Sequence, residues 1–263
     1  MDPNKISWKE EQGTRYLVFP PLGEAGLSTH AFTSRPLDLG FGREKREEVL
    51  KNRRKVCRVL GMNFLLLTAG EQVHGTKIVK VGEAERGRGA LSPEGVIRHV
   101  DGFISNVPEV PLTILTADCV PIFILDPVRK AIGLVHAGWR GTLCRMTERV
   151  VLMMEEEYGS RPEDLIVALG PSIGPCCYQV GEEVASAFQK QFPEWPSFIS
   201  FELASEKWTL DLWKANRVQL RKVKVRDDNI VDSRMCTSCH NDIFFSLRRD
   251  GSPTGRMMSL MML

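Results

Sequence analysis

The sequence predicts a mixed-sheet α/β fold rather than a doubly wound parallel one. Strand-like and helix-like segments alternate irregularly along the chain, and several consecutive strands read as hairpins. A length of 263 residues with 43% apolar composition allows a large core.

Taken in order, Tyr16–Phe19 and Leu27–Thr33 read as short strands. Gly42–Leu60 is charged and helical, with Val49, Val56, Val59 and Leu60 on one side and Gly61 as its stop. Phe64–Thr68 and Thr76–Val81 look like strands flanking Gln72–His74, and the Gly-, Arg- and Glu-rich Ala84–Arg98 reads as a surface loop. Asp101–Ser105 and Leu112–Asp126 are strands, and Ala131–His136 returns after the turn Pro127-Val128-Arg129-Lys130. Thr142–Tyr158 is an amphipathic helix, with Leu143, Met146, Val150 and Met154 at spacings of three and four. Leu165–Leu169 is a strand, Gly181–Gln191 a helix, and Asp211–Lys222 a helix with Asp211 as its N-cap. Ile230–Val231, Phe244–Ser246 and Met257–Leu263 close the pattern as strands. No repeat, low-complexity tract or linker divides residues 1–263, so one domain is expected.

Composition removes several classes. Lys+Arg 35 against Asp+Glu 33 leaves little net charge, which argues against a nucleic-acid-binding surface. The opening Met1–Glu11 has no apolar core of signal-peptide length, and no stretch approaches the ~18 apolar residues of a membrane span. A cytoplasmic protein is the expectation. Seven cysteines at irregular spacing fit reduced thiols better than a disulfide framework.

The chemistry concentrates in three segments: Gln72-Val73-His74-Gly75, Ala117-Asp118-Cys119 and Val135-His136-Ala137-Gly138-Trp139-Arg140-Gly141. If Asp126 pairs with Ala131 across the turn, Pro121 faces His136 and Cys119 faces Gly138. Because side chains alternate with period two, Cys119 and His136 then point to one side as diagonal neighbours, ~7 Å apart at Cα. That gap closes onto one ion at bond lengths of about 2.3 Å to sulfur and about 2.0 Å to nitrogen. A register slip of one residue would separate them. By the same parity Asp118 points away from the ion unless a bulge intervenes, and it reads either as a buried carboxylate satisfied by hydrogen bonds or as a catalytic one.

His74 completes a set of two imidazoles and a thiolate, which suits Zn²⁺ or Cu²⁺ with a fourth position open to water or substrate. Gln72 shares a face with His74 if the segment is extended. Gly138–Thr142 runs from strand into helix, so free N–H groups there and Arg140 would make an anion site; Arg35 is a second anion ligand to test. Cys236-Thr237-Ser238-Cys239-His240 is a rival metal motif, weak without a second pair. Vicinal Cys176-Cys177 reads as packing at a turn, and Phe244–Gly251 as a strand entering an Asp-Gly turn with solvated or salt-bridged arginines.

On these residues the chain resembles the YfiH or laccase-domain family, whose members are labelled polyphenol oxidase or purine nucleoside phosphorylase. The likeness spans nearly the whole chain: Phe32–Arg35, Asn52-Arg53-Arg54, Gln72–Gly75, Thr116–Cys119, Val135–Thr142, Gly170–Val180 and Phe244–Arg256. The resemblance implies a single domain with a mixed β-sandwich core flanked by helices, distantly similar to the Cys–His deamidase domain of cytotoxic necrotizing factor. It also implies His74, Cys119 and His136 as metal-binding and catalytic residues. The implied activity is phosphorolysis of adenosine, inosine and methylthioadenosine, with adenosine deamination beside it. One departure stands out. The glycine- and serine-rich loop expected after Arg35 is shortened, and Asp38 of Leu37-Asp38-Leu39-Gly40 replaces an asparagine.

Five histidines, His30, His74, His99, His136 and His240, cannot furnish a blue-copper site plus a three-copper cluster, so four-copper catalysis is excluded. A single copper with weak oxidase activity is not. Nucleoside chemistry needs one metal, and zinc lowers the pKa of a bound water toward neutrality. The His-x-Glu and Pro-Cys-x-x-Cys blocks of zinc deaminases are missing, so deamination would need another arrangement. Arg140 and the metal are placed to hold phosphate, with Arg35 and Gln72 on the nucleoside. Two rival readings use the same residues: a metal-free hydrolase or deamidase with Cys119 as nucleophile and His136 as base, and a non-enzymatic metal protein whose site is closed by a fourth ligand such as Cys239 or His240.

Overall fold

The computed structural model describes residues 5–27, 29–42, 44–203 and 206–263. Ser28, within the expected Leu27–Thr33 strand, and Arg43, within the expected Gly42–Leu60 helix, lie outside the described residues. Numbered in chain order, one sheet runs β1 (Ser7–Glu11), β2 (Thr14–Val18), β3 (Thr29–Thr33), β14 (Met257–Met262), β6 (Leu112–Thr116), antiparallel throughout. A second runs β13 (Ile230–Asp232), β9 (Ile166–Leu169), β7 (Val120–Asp126), β8 (Ala131–Ala137), β5 (Gly102–Ser105), β4 (Ile78–Lys80). Its outer pairs β13–β9 and β5–β4 are parallel and its inner pairs antiparallel, so the sheet is mixed. A small third sheet orders β10 (Gln179–Val180), β12 (Lys207–Leu210) and β11 (Ile199–Glu202).

Alternation explains the layering. Phe103, Phe123, Leu125, Ile132 and Leu134 of the six-stranded sheet meet Phe32, Ile114, Met257 and Met261 of the five-stranded one in a single buried cluster. Ile122, Ile124, Val135 and Val167 point the other way, onto α4 (Met146–Tyr158), α5 (Glu182–Gln191) and α6 (Leu212–Lys222). Ala31, Met258 and Leu260 likewise turn outward onto Val56 and Cys57 of α2 (Arg46–Val59). Each such apolar side chain taken fully out of water contributes ~1.5–3 kcal/mol before entropy is counted. The mixed α/β architecture is the one expected: two packed sheets with helices outside. Among the described residues, no helix is long and apolar enough to cross a membrane.

Several elements differ from expectation for local reasons. Phe64–Leu66 is a 3₁₀ turn, not a strand, because Asn63 Oδ1 accepts the Leu65 N–H at 3.0 Å. The expected Thr142–Tyr158 helix begins earlier and is broken: α3 (Trp139–Leu143) ends, Arg145 adopts φ +63°, and α4 starts afresh. Phe244–Ser246 forms no strand; Ser246 caps α7 (Leu247–Asp250) by accepting the Arg249 N–H at 3.2 Å. Leu112–Asp126 is two strands interrupted at Ala117-Asp118-Cys119. Short helix α1 (Pro20–Glu24), β1 and the third sheet had no clear sequence signal.

Candidate active site

The interruption at Ala117-Asp118-Cys119 is where the chain crosses from one sheet to the other, since β6 and β7 belong to different sheets. Asp118 takes φ +96°, a conformation costly for a side-chain-bearing residue. Three contacts hold it there. Its carbonyl accepts the Ile173 N–H at 2.8 Å, and its carboxylate accepts Thr237 Oγ1 at 2.6 Å and the Arg248 N–H at 2.7 Å. Asp118 is thus a buried, satisfied carboxylate whose function is to fix the turn that presents Cys119.

The β7–β8 register is the expected one, Asp126 opposite Ala131 and Pro121 opposite His136. On the other side of β8, Gly102 lies opposite Val135, which brings Asp101 beside His136. The Asp101 carbonyl accepts the His136 N–H at 2.7 Å, and its Oδ1 accepts from His136 Nδ1 at 2.8 Å. The same carboxylate accepts the N–H groups of Val73, His74 and Gly75 at 3.2, 3.0 and 2.8 Å. One fully buried aspartate therefore fixes the tautomer of His136 and holds His74 at φ +59°. Nothing in the sequence flagged Asp101; only the β5–β8 register reveals it.

The donor atoms of His74, Cys119 and His136 all lie within 4.8 Å of one another, and the two imidazole rings sit 4.9 Å apart at 68°. His74 is exposed, Cys119 half-buried and His136 buried. Gly138 permits this convergence: a Cβ there would stand 2.8 Å from Cys119 Sγ and 3.3 Å from His74 Cδ2. Burial opposes charge on both members of the Cys119–His136 pair, yet their mutual attraction wins. It brings the thiol down to about 6, with help from His74, and the imidazole up to about 9, with help from Asp101. A soft thiolate and two imidazoles, one with its far nitrogen already committed to a carboxylate, fit a zinc ion with an open position. No fourth His, Cys or carboxylate donor joins the set among the described residues; Cys239 belongs to another cluster, and His240 Nδ1 pairs with the Cys236 carbonyl at 2.9 Å.

Two cavities meet at this set. One, of about 480 Å³, is lined by Phe41, Gly70, Gln72, Thr254 and Arg256. The other, of about 520 Å³, is lined by Asp118, Arg140, Ile173, Tyr178 and Arg248. His74, Ala117, Cys119 and Leu247 border both.

Of the expected substrate residues, Arg140 faces the second cavity, its guanidinium 4.3 Å from the centre of the Trp139 ring. In the five-residue helix α3 the Thr142 N–H makes the ordinary helical bond to the Gly138 carbonyl at 2.8 Å, which removes that one donor from the expected anion site. Gln72 lines the first cavity, but its amide is doubly bonded to the Leu115 backbone at 2.8 Å each way, which locks it as part of the wall. Arg35 lines neither cavity; it donates to the Asn241 carbonyl at 3.0 Å and lies over the Phe245 ring.

The structure adds residues that sequence reasoning passed over. Arg248, expected to be solvated or salt-bridged, borders the second cavity and donates to the Gln179 carbonyl at 2.9 Å. Arg53 is buried and donates to the carbonyls of Leu39, Gly89 and Ala90 while lying over Phe41; Asn52 donates to the Asp38 carbonyl at 3.0 Å. Together they pin the shortened loop that lines the first cavity. Asp38 Oδ1 accepts the N–H groups of Gly40 and Arg256 at 3.1 and 2.9 Å, an acceptor position that an asparagine oxygen can also fill.

The α/β scaffold thus sets a His, His, Cys group that could hold a metal ion at the mouth of two cavities. The family described as multi-copper polyphenol oxidoreductase laccase matches residues 23–263, and the chain belongs to that family. It is 37% identical over 234 residues to the purine nucleoside phosphorylase YlmD of Geobacillus stearothermophilus, covering 89% of this chain and 85% of that one. It is 33% identical to adenosine deaminase RL5 from an unknown prokaryotic organism, covering 79% of each. The crystal structure of the Geobacillus YlmD superposes with a TM-score of 0.92 at 33% identity, over 99% of both chains.

Proposed function

We propose that the chain, as one catalytic domain over 1–263, is a purine nucleoside phosphorylase. Its substrates are adenosine, inosine and methylthioadenosine, with adenosine deamination as a second activity and one zinc held by His74, Cys119 and His136. The observation that carries this reading is the meeting of two unlike cavities at the three-donor set, one of them bordered by Arg140 and Arg248. The names of the relatives support the same chemistry.

In phosphorolysis a phosphate oxygen bonds to C1′ of the ribose as the C1′–N9 bond breaks. The bonding electrons leave with the purine, which takes up a proton. Arg140 and Arg248 oppose the charge of the phosphate in the second cavity, and charge-assisted hydrogen bonds to guanidinium orient it. The nucleoside occupies the first cavity, bounded by Phe41 and by the wall that Gln72 locks. Zinc, when bound, supplies Lewis acidity at the junction. Asp101 keeps His136 oriented and His74 in place throughout.

Steady-state kinetics of inosine phosphorolysis test the assignment. Arg140→Ala raises KM for phosphate by about tenfold, the ~1.5 kcal/mol of a hydrogen bond to a charged group, and leaves KM for inosine unaltered. An unchanged KM for phosphate contradicts the role.

One observation favours a second reading. Without metal, the Cys119 thiol at about 6 and the His136 imidazole at about 9 form an ion pair, the state of a thiolate nucleophile with its base. Activity that survives chelation and is abolished stoichiometrically by a thiol alkylating agent would select this hydrolase or deamidase.

A further inference from the structure

Away from the active site, the fold joins two cysteine pairs that are separate in sequence. Cys176 and Cys177 end the Gly170–Cys177 loop, and Cys236 and Cys239 lie in the segment after β13. Their four sulfurs all lie within 4.8 Å of one another. Cys239 Sγ stands 3.5 Å from Cys176 Sγ and 3.4 Å from Cys177 Sγ. All seven cysteines are free thiols.

We propose that these four thiols form a second, structural metal site, a closed tetrahedral centre for a thiophilic divalent cation of the zinc type.

The spacing leaves room for one ion among the four sulfurs, all within 4.8 Å of one another. Four sulfurs at ~2.3 Å from zinc stand ~3.8 Å apart, within the range seen here. A disulfide requires ~2.05 Å and one exclusive partner, whereas Cys239 is shared almost evenly between two. Polar donors gather at one of the four sulfurs and its loop. The Gly174 N–H donates to Cys236 Sγ at 3.2 Å, and Arg249 binds the carbonyls of Thr237 and Ser238 within the loop itself. Gly174 also allows close approach of the loops, since a Cβ there would sit 3.2 Å from Cys236 Cβ and 2.6 Å from Trp213. With four protein ligands the centre keeps no position for substrate, which marks it as structural.

Its place in the fold gives it a task. The two loops are otherwise joined by short backbone contacts, Ser172 N–H to Met235 O at 3.1 Å and Thr237 N–H to Ser172 O at 3.0 Å. From this joint, Thr237 Oγ1 and the Ile173 N–H reach Asp118, at 2.6 and 2.8 Å. The ion therefore braces the turn that presents Cys119. Each thiol releases its proton on ligation, so binding weakens as pH falls.

Elemental analysis on Cys119→Ala protein, which keeps all four of these cysteines, decides the matter independently of the nucleoside reading. The expected result is one zinc per chain in Cys119→Ala and none in Cys119→Ala/Cys239→Ser, with Cys176→Ser as a second variant because both positions are exposed. Cobalt added to metal-free Cys119→Ala should show the strong sulfur-to-cobalt charge-transfer absorption of a multi-thiolate site. Denatured and unreduced, the wild type should titrate seven thiols and Cys119→Ala six. No metal bound by Cys119→Ala, or a loss of two titratable thiols to a disulfide, overturns the proposal.

Discussion

The His74–Cys119–His136 set and the four-cysteine cluster are both sulfur-containing donor groups, yet their surroundings diverge. The first mixes imidazole with one thiolate, borders two cavities and is oriented by a buried aspartate. The second is all sulfur, joins two loops and meets no fourth-position vacancy. Donor number and the space beside the donors separate a reactive centre from a brace, more than the presence of cysteine does. The two are also linked in series, because the brace holds Asp118 and Asp118 sets the turn that presents Cys119.

Changes confined to one cluster sharpen this contrast. Gly138→Ala has the largest expected effect. Its new methyl would collide with Cys119 Sγ and His74, and a displacement of about 1 Å at a reacting centre costs ~100-fold in turnover. The four-thiol cluster should keep its metal in this variant, and loss of both metals would show that the centres are not separable. Asp101→Asn is expected to cost about 10- to 100-fold in metal affinity or activity, because the amide orients His136 without a carboxylate's charge. Titrating metal affinity by competition with a chelator checks that figure.

A smaller effect follows from protonation. In chelator-treated protein, iodoacetamide should alkylate Cys119 with a midpoint near pH 6 rather than at the ordinary thiol value of 9. The sign for stability is set by direction. Cys119, depressed, contributes stability that is lost as pH falls through about 6, and His136, raised, contributes stability that is lost as pH rises through about 9. The metal-free protein should therefore be most stable between those values, and a thermal melting series across pH 5–10 tests it. A midpoint near 9 for alkylation would remove the ion pair.

The legible part of the site was the part set by local geometry. A short turn at Pro127–Lys130 fixes the register of its hairpin, and the register puts Cys119 and His136 together. Apolar spacing likewise reveals α2 and α4, and the Asp211 cap marks the start of α6. What remained hidden depends on pairing between distant segments. Asp101 matters only because β5 lies beside β8, and the cysteine pairs form a cluster only because the loop after β9 meets the segment after β13. Phe64–Thr68 misled because an apolar run has strand character until Asn63 caps a turn in it. Arg248 misled because the Phe244–Ser246 run hid a Ser246-capped helix that turns its side chain to the cavity.

The most direct test pairs metal content with inosine phosphorolysis on the same samples of wild type and Cys119→Ala. Loss of one zinc per chain together with a fall in turnover of ~10³-fold or more, the scale of a Lewis-acid contribution of several kcal/mol, is the predicted result. A wild type that stays active after its active-site metal is stripped, or a Cys119→Ala protein that turns over normally, would contradict the account.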